Sequence, residues 1–236
     1  MSSQTRNVTD PLHSARADKD EDAIFSFDQE CSFDFARINV IHDTPAMLVK
    51  RERLLLYSMV IATAPTHALE IGTHKGGGSK IISSALADLG MGKLATLDPF
   101  PDLCEVSGEP MTANTVFLKG ASPWNLPDAR KAIKADRGFQ FCFIDGSHEY
   151  EDVLQDLDAV RNHLDDEACI LMHDAYYPGV RQAIHEAIAN FSCYVDAGML
   201  TNTRNKTTDG DVYGGLYFLR FIRTPDTPAL QPLPAT

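Results

Sequence analysis

Short blocks of contiguous apolar residues alternate along most of this chain with longer stretches where apolar positions recur every three or four residues. The first pattern predicts buried strands and the second amphipathic helices. "TPAMLVKRERLLLYSMVIATAP" reads as a helix with Pro45 near its start and Pro65 just past its end. "HALEIGT" is a strand running into a glycine turn, and "SKIISSALADLG" a helix closed by Gly90. "KLATLDPF" and "TVFLKG" are the next strands, with a helix around "LPDARKAIKA", then "FQFCFID" as a fourth strand. In "EYEDVLQDLDAVRNHL" the residues Tyr150, Val153, Leu154, Leu157, Val160 and Leu164 share one stripe, the clearest helix of the chain. "ACILMHD" is a fifth strand and "GVRQAIHEAIA" a helix with Val180, Ala183, Ile184 and Ala187 on one face. "FSCYVDAGML" and "GGLYFLRFI" close the pattern, separated by the polar loop "TNTRNKTTDGD" and by no helix.

Strands alternating with helices make parallel βαβ units. The expected fold class is therefore α/β: a Rossmann-like, doubly wound, mostly parallel seven-stranded sheet with an antiparallel edge pair and helices on both faces. The expected organisation is a mobile arm over residues 1–22, one domain over 23–223 with a helical N-terminal part to about 65, and a Pro-rich extended tail over 224–236.

Several of these strands end on polar chemistry. Glu70 lies near the end of the first, Asp98 closes the second, Asp145 the fourth, and His173-Asp174 the fifth. In open α/β sheets the ligand crevice lies beyond the carboxyl ends of the strands, so these side chains should converge. In "FQFCFIDGSHEY" the strand stops on Asp145, Gly146 makes the turn, and His148 should return to the same crevice.

Composition narrows the ligand. A net charge of -12 excludes a general nucleic-acid binder and an anionic membrane surface as partners. No apolar run approaches the roughly 20 residues of a membrane span, and the first 22 residues have no signal-peptide core. Cys31, Cys104, Cys142, Cys169 and Cys193 are odd in number and scattered without a C-x-x-C pair. That reads as a reducing, cytoplasmic setting.

The first turn, "EIGTHKGGGS", discriminates further. His74 stands where a dinucleotide fingerprint needs its second glycine, and Gly78 where a phosphate-binding loop needs lysine. Asp98 can accept both ribose hydroxyls, and carboxylates favour a sulfonium over a pyrophosphate. S-adenosyl-L-methionine satisfies these conditions. An NAD(P)-dependent oxidoreductase on the same kind of sheet, or a protein that binds S-adenosylmethionine without catalysis, are the rival readings.

From "INVIHDTPAML" to the final strand the sequence resembles class I S-adenosylmethionine-dependent methyltransferases. It is most similar to the small-molecule branch of macrocin-type sugar O-methyltransferases and cephalosporin-hydroxylase-like proteins. "ALEIGTHKGGGS" resembles their cofactor turn, "LDPF" their ribose-binding strand end, and "FIDGSHEYEDVLQDL" with "LMHDAYYPGVRQAI" their metal and base region. The resemblance implies cofactor contacts from Glu70, Gly72, Thr73, Gly76, Gly77, Ser79, Asp98, Ser122 and Asp145, with Trp124 near the adenine. It implies a divalent cation on Asp145 and the His173-Asp174 pair, and His148 as general base. The expected cation is magnesium, with manganese or zinc as alternatives, because a histidine in that pair departs from the family's Glu-Asp and suits those two metals better. The implied reaction is O-methylation of a small-molecule hydroxyl, on a sugar or a phenol of a secondary metabolite. No nucleic-acid or membrane partner is expected, and homo-oligomerisation stays open. His74 is expected to serve its turn through the backbone, and His42 to stand near the acceptor or at a helix start.

Overall fold

The computed structural model describes residues 41–100 and 114–233. The expected arm over 1–22, the region up to residue 40, Cys31, Cys104 and the last three residues of the tail lie outside the described residues. The elements are α1 (Lys50–Thr63), β1 (His67–Ile71), α2 (Gly77–Asp88), β2 (Lys93–Asp98), β3 (Thr115–Lys119), α3 (Leu126–Ile133) and β4 (Phe139–Ile144). They continue as α4 (Tyr150–Val160), β5 (Leu164–Met172), α5 (Pro178–Asn190), β6 (Tyr194–Met199), β7 (Asn205–Lys206), β8 (Val212–Tyr213) and β9 (Tyr217–Ile222).

Seven strands form one sheet in the order β3-β2-β1-β4-β5-β9-β6, and β7 and β8 form a separate hairpin. Strands β1 to β5 pair in parallel, while β9 runs antiparallel between β5 and β6. The switch point falls between β1 and β4, where successive connections leave in opposite directions along the sheet. That is where a crevice opens in such sheets.

Side chains alternate across a strand, and both faces are covered here. On one face Ala68, Phe141, Phe143 and Leu171 pack with Leu56 and Val60 of α1 and with Ile81, Ile82 and Leu86 of α2. On the other, Leu69, Ile71, Cys142 and Ile144 pack with apolar residues of α3, α4 and α5, including Ala129, Leu157 and Ile184. This parity decides where each strand-end side chain points.

Three boundaries differ from the sequence pattern. The helix read from Thr44 starts at Lys50, because the Arg53 side chain gathers the carbonyls of Thr44, Ala46 and Leu48 into a non-helical loop and reaches that of His42 in the helical turn before it. Leu164 is buried as expected but opens β5, where it pairs with Phe139. The apolar stripe therefore crosses from a helix into a strand. The polar loop after β6 contains the β7–β8 hairpin, whose two-residue strands are too short for a periodic signal. The described part of the Pro-rich end packs on the domain: Thr227 is buried, and Gln231 donates to the carbonyl of Asn162.

Candidate active site

A crevice of about 880 Å³ opens at the carboxyl ends of β1, β2, β3 and β4. Gly72, Asp98, Ser122, Asp145, His148 and Asp174 all line it, so six of the expected residues converge. Trp124 and His74 line it as well. Thr73 and Gly77 line a smaller adjoining cavity of about 270 Å³, shared with Arg53 and Lys75. Gly76 caps α2 in a left-handed conformation.

Glu70 and Ser79 lie elsewhere. Glu70 alternates with Leu69 and Ile71, so it turns to the α2 face and is fully enclosed. Its Oε2 accepts hydrogen bonds from the hydroxyls of Ser79 and Thr96, while its Oε1 has no partner. Burial pushes its pKa up to about 8, as expected for a carboxyl with no cation beside it. Glu70 is thus a neutral acid beneath the turn at pH 7, and β-strand parity is the reason.

The glycines of the turn meet protein before ligand. Gly72 has φ +97°, and a β-carbon there would overlap the Asp145 carbonyl. A side chain would therefore force the β1 and β4 ends apart. At Gly77 a β-carbon would overlap Pro45 and Ala46, the loop that Arg53 gathers. Asp98 accepts the amides of His74 and Phe100 at 2.7 and 2.6 Å, which aims its carboxylate along the crevice rim.

The ends of β4 and β5 build a charged centre. His173 follows the parity of Leu171 towards the α1 face and is buried. Its Nδ1 lies 2.8 Å from Asp145 Oδ1 and 3.3 Å from Asp174 Oδ2, and its Nε2 lies 3.3 Å from Glu52 Oε2. Burial opposes protonation, but the three carboxylates outweigh it and hold His173 well above its usual pKa. Both ring nitrogens are engaged, so His173 stands behind the crevice as a counter-cation.

Asp174 adopts φ +51° and turns the opposite way, into the crevice. Its Oδ2 is 2.8 Å from His148 Nε2, and its Oδ1 accepts the Gly214 amide. Despite burial, the hydrogen bonds from His148 and His173 hold Asp174 well below the usual carboxylate range. His148 is raised above its ordinary pKa, first by that bond to Asp174. Because a carboxylate only accepts, His148 donates from Nε2 and Nδ1 is left as its basic atom. The ring of His148 is held by Tyr177 and Tyr213, with centroids at 5.4 and 5.3 Å.

Several of these residues carry no readable signal in the sequence. Glu52 sits in "ERLLLY", where nothing marks one acid as buried. It accepts the amide of Gly215 and the hydroxyl of Thr201, and so anchors both stems of the β7–β8 hairpin. That hairpin brings Asn205, Thr207 and Tyr213 to the crevice wall. Asp156 did carry a signal: it lies inside the apolar stripe of α4, between Val153 and Leu157, and is buried among them.

Comparison with known proteins fits this geometry. Residues 69–175 match a family model described as a methyltransferase domain. No curated protein matches the chain. Among solved structures, the O-methyltransferase TomG from Streptomyces achromogenes, involved in tomaymycin synthesis and solved with S-adenosylmethionine, superposes with a TM-score of 0.55 and 20% identity. The match covers 84% of this chain and 93% of that one. An O-methyltransferase from Bacillus cereus, solved with S-adenosylhomocysteine, gives a TM-score of 0.54 at 16% identity, over 83% of this chain and 94% of that one. Residues 69–175, from β1 to β5, thus match a methyltransferase domain, and the sheet order with a crevice at its switch point is the fold shared with these O-methyltransferase structures.

Proposed function

We propose that the chain methylates a hydroxyl of a small molecule, with His148 as general base. The observation that carries this reading is the His148–Asp174 pair, set in the same crevice as Asp98. Asp98 accepts the ribose hydroxyls, and Gly72 and Asp145 bound the middle of the cofactor site. The smaller cavity, with Lys75, Thr73 and the α2 N-terminus, takes the methionine end. The methyl group then points towards His148. In-line displacement needs the acceptor oxygen behind that methyl, so much of the rate comes from positioning. As the oxygen attacks carbon and the sulfur–carbon bond breaks, His148 Nδ1 takes the hydroxyl proton. Asp174 fixes the ring and stabilises the imidazolium, the division of labour of a base and its orienting carboxylate.

That two structural relatives are O-methyltransferases supports oxygen over nitrogen as the acceptor atom. A sugar or phenol hydroxyl of a secondary metabolite fits the mixed aromatic and polar wall formed by Tyr213, Asn205 and Thr207. A methyl-transfer screen against glycosides, phenols and amines, read by product mass and fragmentation, tests the reading. Methyl ethers are the expected products. Exclusive methylation of amines would overturn it.

A second reading rests on one further observation. Asp145, His148 and Asp174 offer three ligand atoms within 4.8 Å of one another. This mixed nitrogen and oxygen set suits manganese or zinc better than magnesium, which prefers oxygen. A cation there would lower the pKa of the acceptor hydroxyl. His148 would then be a ligand and could not be the base. His173 is not part of that set, because its nitrogens already face three carboxylates. Elemental analysis and turnover after chelation separate the readings: full activity of metal-free protein supports His148 as base, and restoration by an added ion supports the cation.

A further inference from the structure

Glu52, in the first turn of α1, is fully buried and forms no part of the crevice wall. A buried carboxylate is costly unless donors surround it, and here both oxygens have them. Oε2 accepts the Val49 amide and faces His173 Nε2, while Oε1 accepts the Gly215 amide at 2.8 Å and the Thr201 hydroxyl at 3.3 Å. The preceding amide, that of Gly214, donates to Asp174 Oδ1. The carbonyls of the same two glycines accept the amides of Tyr176 and Ala175. All four backbone polar groups of the Gly214-Gly215 step are therefore held. A β-carbon at Gly215 would overlap the Tyr176 ring, so the step is packed as closely as it is bonded.

Tyr213 immediately precedes that step. Its ring meets His148 edge-on, with centroids 5.3 Å apart at 89°, and lies 4.8 Å from the Tyr177 ring, which itself stands 5.4 Å from His148. The hydrogen bond to Asp174 holds His148 at Nε2 alone and leaves the imidazole free to tilt about that bond. Edge-to-face aromatic contacts remove this freedom. We propose that Glu52 is a positioning residue for the reaction: by fixing Gly215 it holds Tyr213, and Tyr213 sets the tilt of the His148 ring. The consequence for catalysis rests on His148 being the general base, whereas the mechanical link does not.

Histidine-ring NMR of the ligand-free protein tests that link without an acceptor. The His148 signals are identified by their loss in His148→Ala, and Tyr213→Ala reports the shift on losing the tyrosine ring current. Glu52→Ala should move the His148 signals in the same direction as Tyr213→Ala. Combined with Tyr213→Ala it should move them little further, the non-additivity of residues acting in one chain. With an acceptor from the methyl-transfer screen, both single variants should lower kcat roughly tenfold or more, the scale of a misplaced catalytic group, and leave affinity for S-adenosylhomocysteine unchanged. Unmoved His148 signals in folded Glu52→Ala would overturn the proposal. So would an equal further shift in the Tyr213→Ala background, because the effect would then travel by another route, such as His173. Should Glu52→Ala not fold, Thr201→Val, which removes the hydroxyl between Glu52 and the stem, is read in the same way. Tyr213→Ala that leaves the His148 signals in place overturns the proposal whatever the other variants do. Full turnover of His148→Ala would instead end the base reading and leave the ring shifts to decide the link to Glu52.

Discussion

Glu70 and Asp174 both stand at the carboxyl ends of parallel strands and both are buried, yet the structure treats them in opposite ways. Glu70 has two hydroxyls for company and no cation, so burial wins and its carboxyl is held neutral to about pH 8. Asp174 has His148 and His173 within 2.8 and 3.3 Å, so the ionised form wins despite burial. The β1–β2 side of the crevice is therefore a backbone-shaped seat, where we propose that Asp98 and the glycine turn position the cofactor. The β4–β5 side is a compensated charge cluster able to move a proton. What separates the two is which neighbours strand parity and the Asp174 turn supply, rather than residue type.

The sharpest way to break this comparison is to remove one carboxylate from each side. Asp98→Ala should weaken S-adenosylhomocysteine by roughly 100-fold or more, since two hydrogen bonds to a charged group are lost. Asp174→Asn should leave that affinity nearly unchanged while abolishing most turnover. Equal effects of the two on calorimetric affinity would show that the sides do not divide the work.

A smaller effect concerns stability. A carboxyl whose folded pKa is about 8, against an ordinary value of 4.5, favours the fold while protonated. Stability of the ligand-free protein should therefore fall as pH rises from 4.5 through 8. Glu70→Gln should flatten that fall, so its melting temperature at pH 9 should exceed that of wild type. A wild-type melting temperature unchanged between pH 6 and 9 would mean that Glu70 is ionised in the fold.

The smallest expected effect is a shift of profile. The hydrogen bond that His148 donates to Asp174 raises His148 above its ordinary pKa, so turnover should rise with pH through a midpoint above 6.5. Asp174→Asn removes that bond, and the midpoint of its residual activity should move down. A midpoint that stays put would assign the titration to another group.

Much of the layout was legible in the sequence for a definite reason. Blocks such as "FQFCFID" and the stripe of α4 report burial directly, so the sheet, its antiparallel pair and the polar strand ends could be read. The crevice membership of Asp98, Asp145, His148 and Asp174 followed from the position of ligand sites in such sheets. Direction within the site was harder. Glu70 and His173 both lie at strand ends, but each points to the α1–α2 face, because one residue of register flips a side chain across the sheet. Glu52 and Tyr213 were out of reach, being 121 and 65 positions from the residues they serve, His173 and His148, and joined to them only by tertiary packing.

The central claim is that His148, oriented by Asp174, takes the proton from an acceptor hydroxyl. Turnover of His148→Ala against wild type, measured across pH with an acceptor from the methyl-transfer screen, addresses it most directly. The variant should lose roughly 100-fold or more in rate, the usual scale for a positioned base. It should keep its affinity for S-adenosylhomocysteine and lose the rise of rate with pH. A variant that retains near-wild-type turnover with the same pH profile would contradict the account and leave His148 as a residue that only begins a helix.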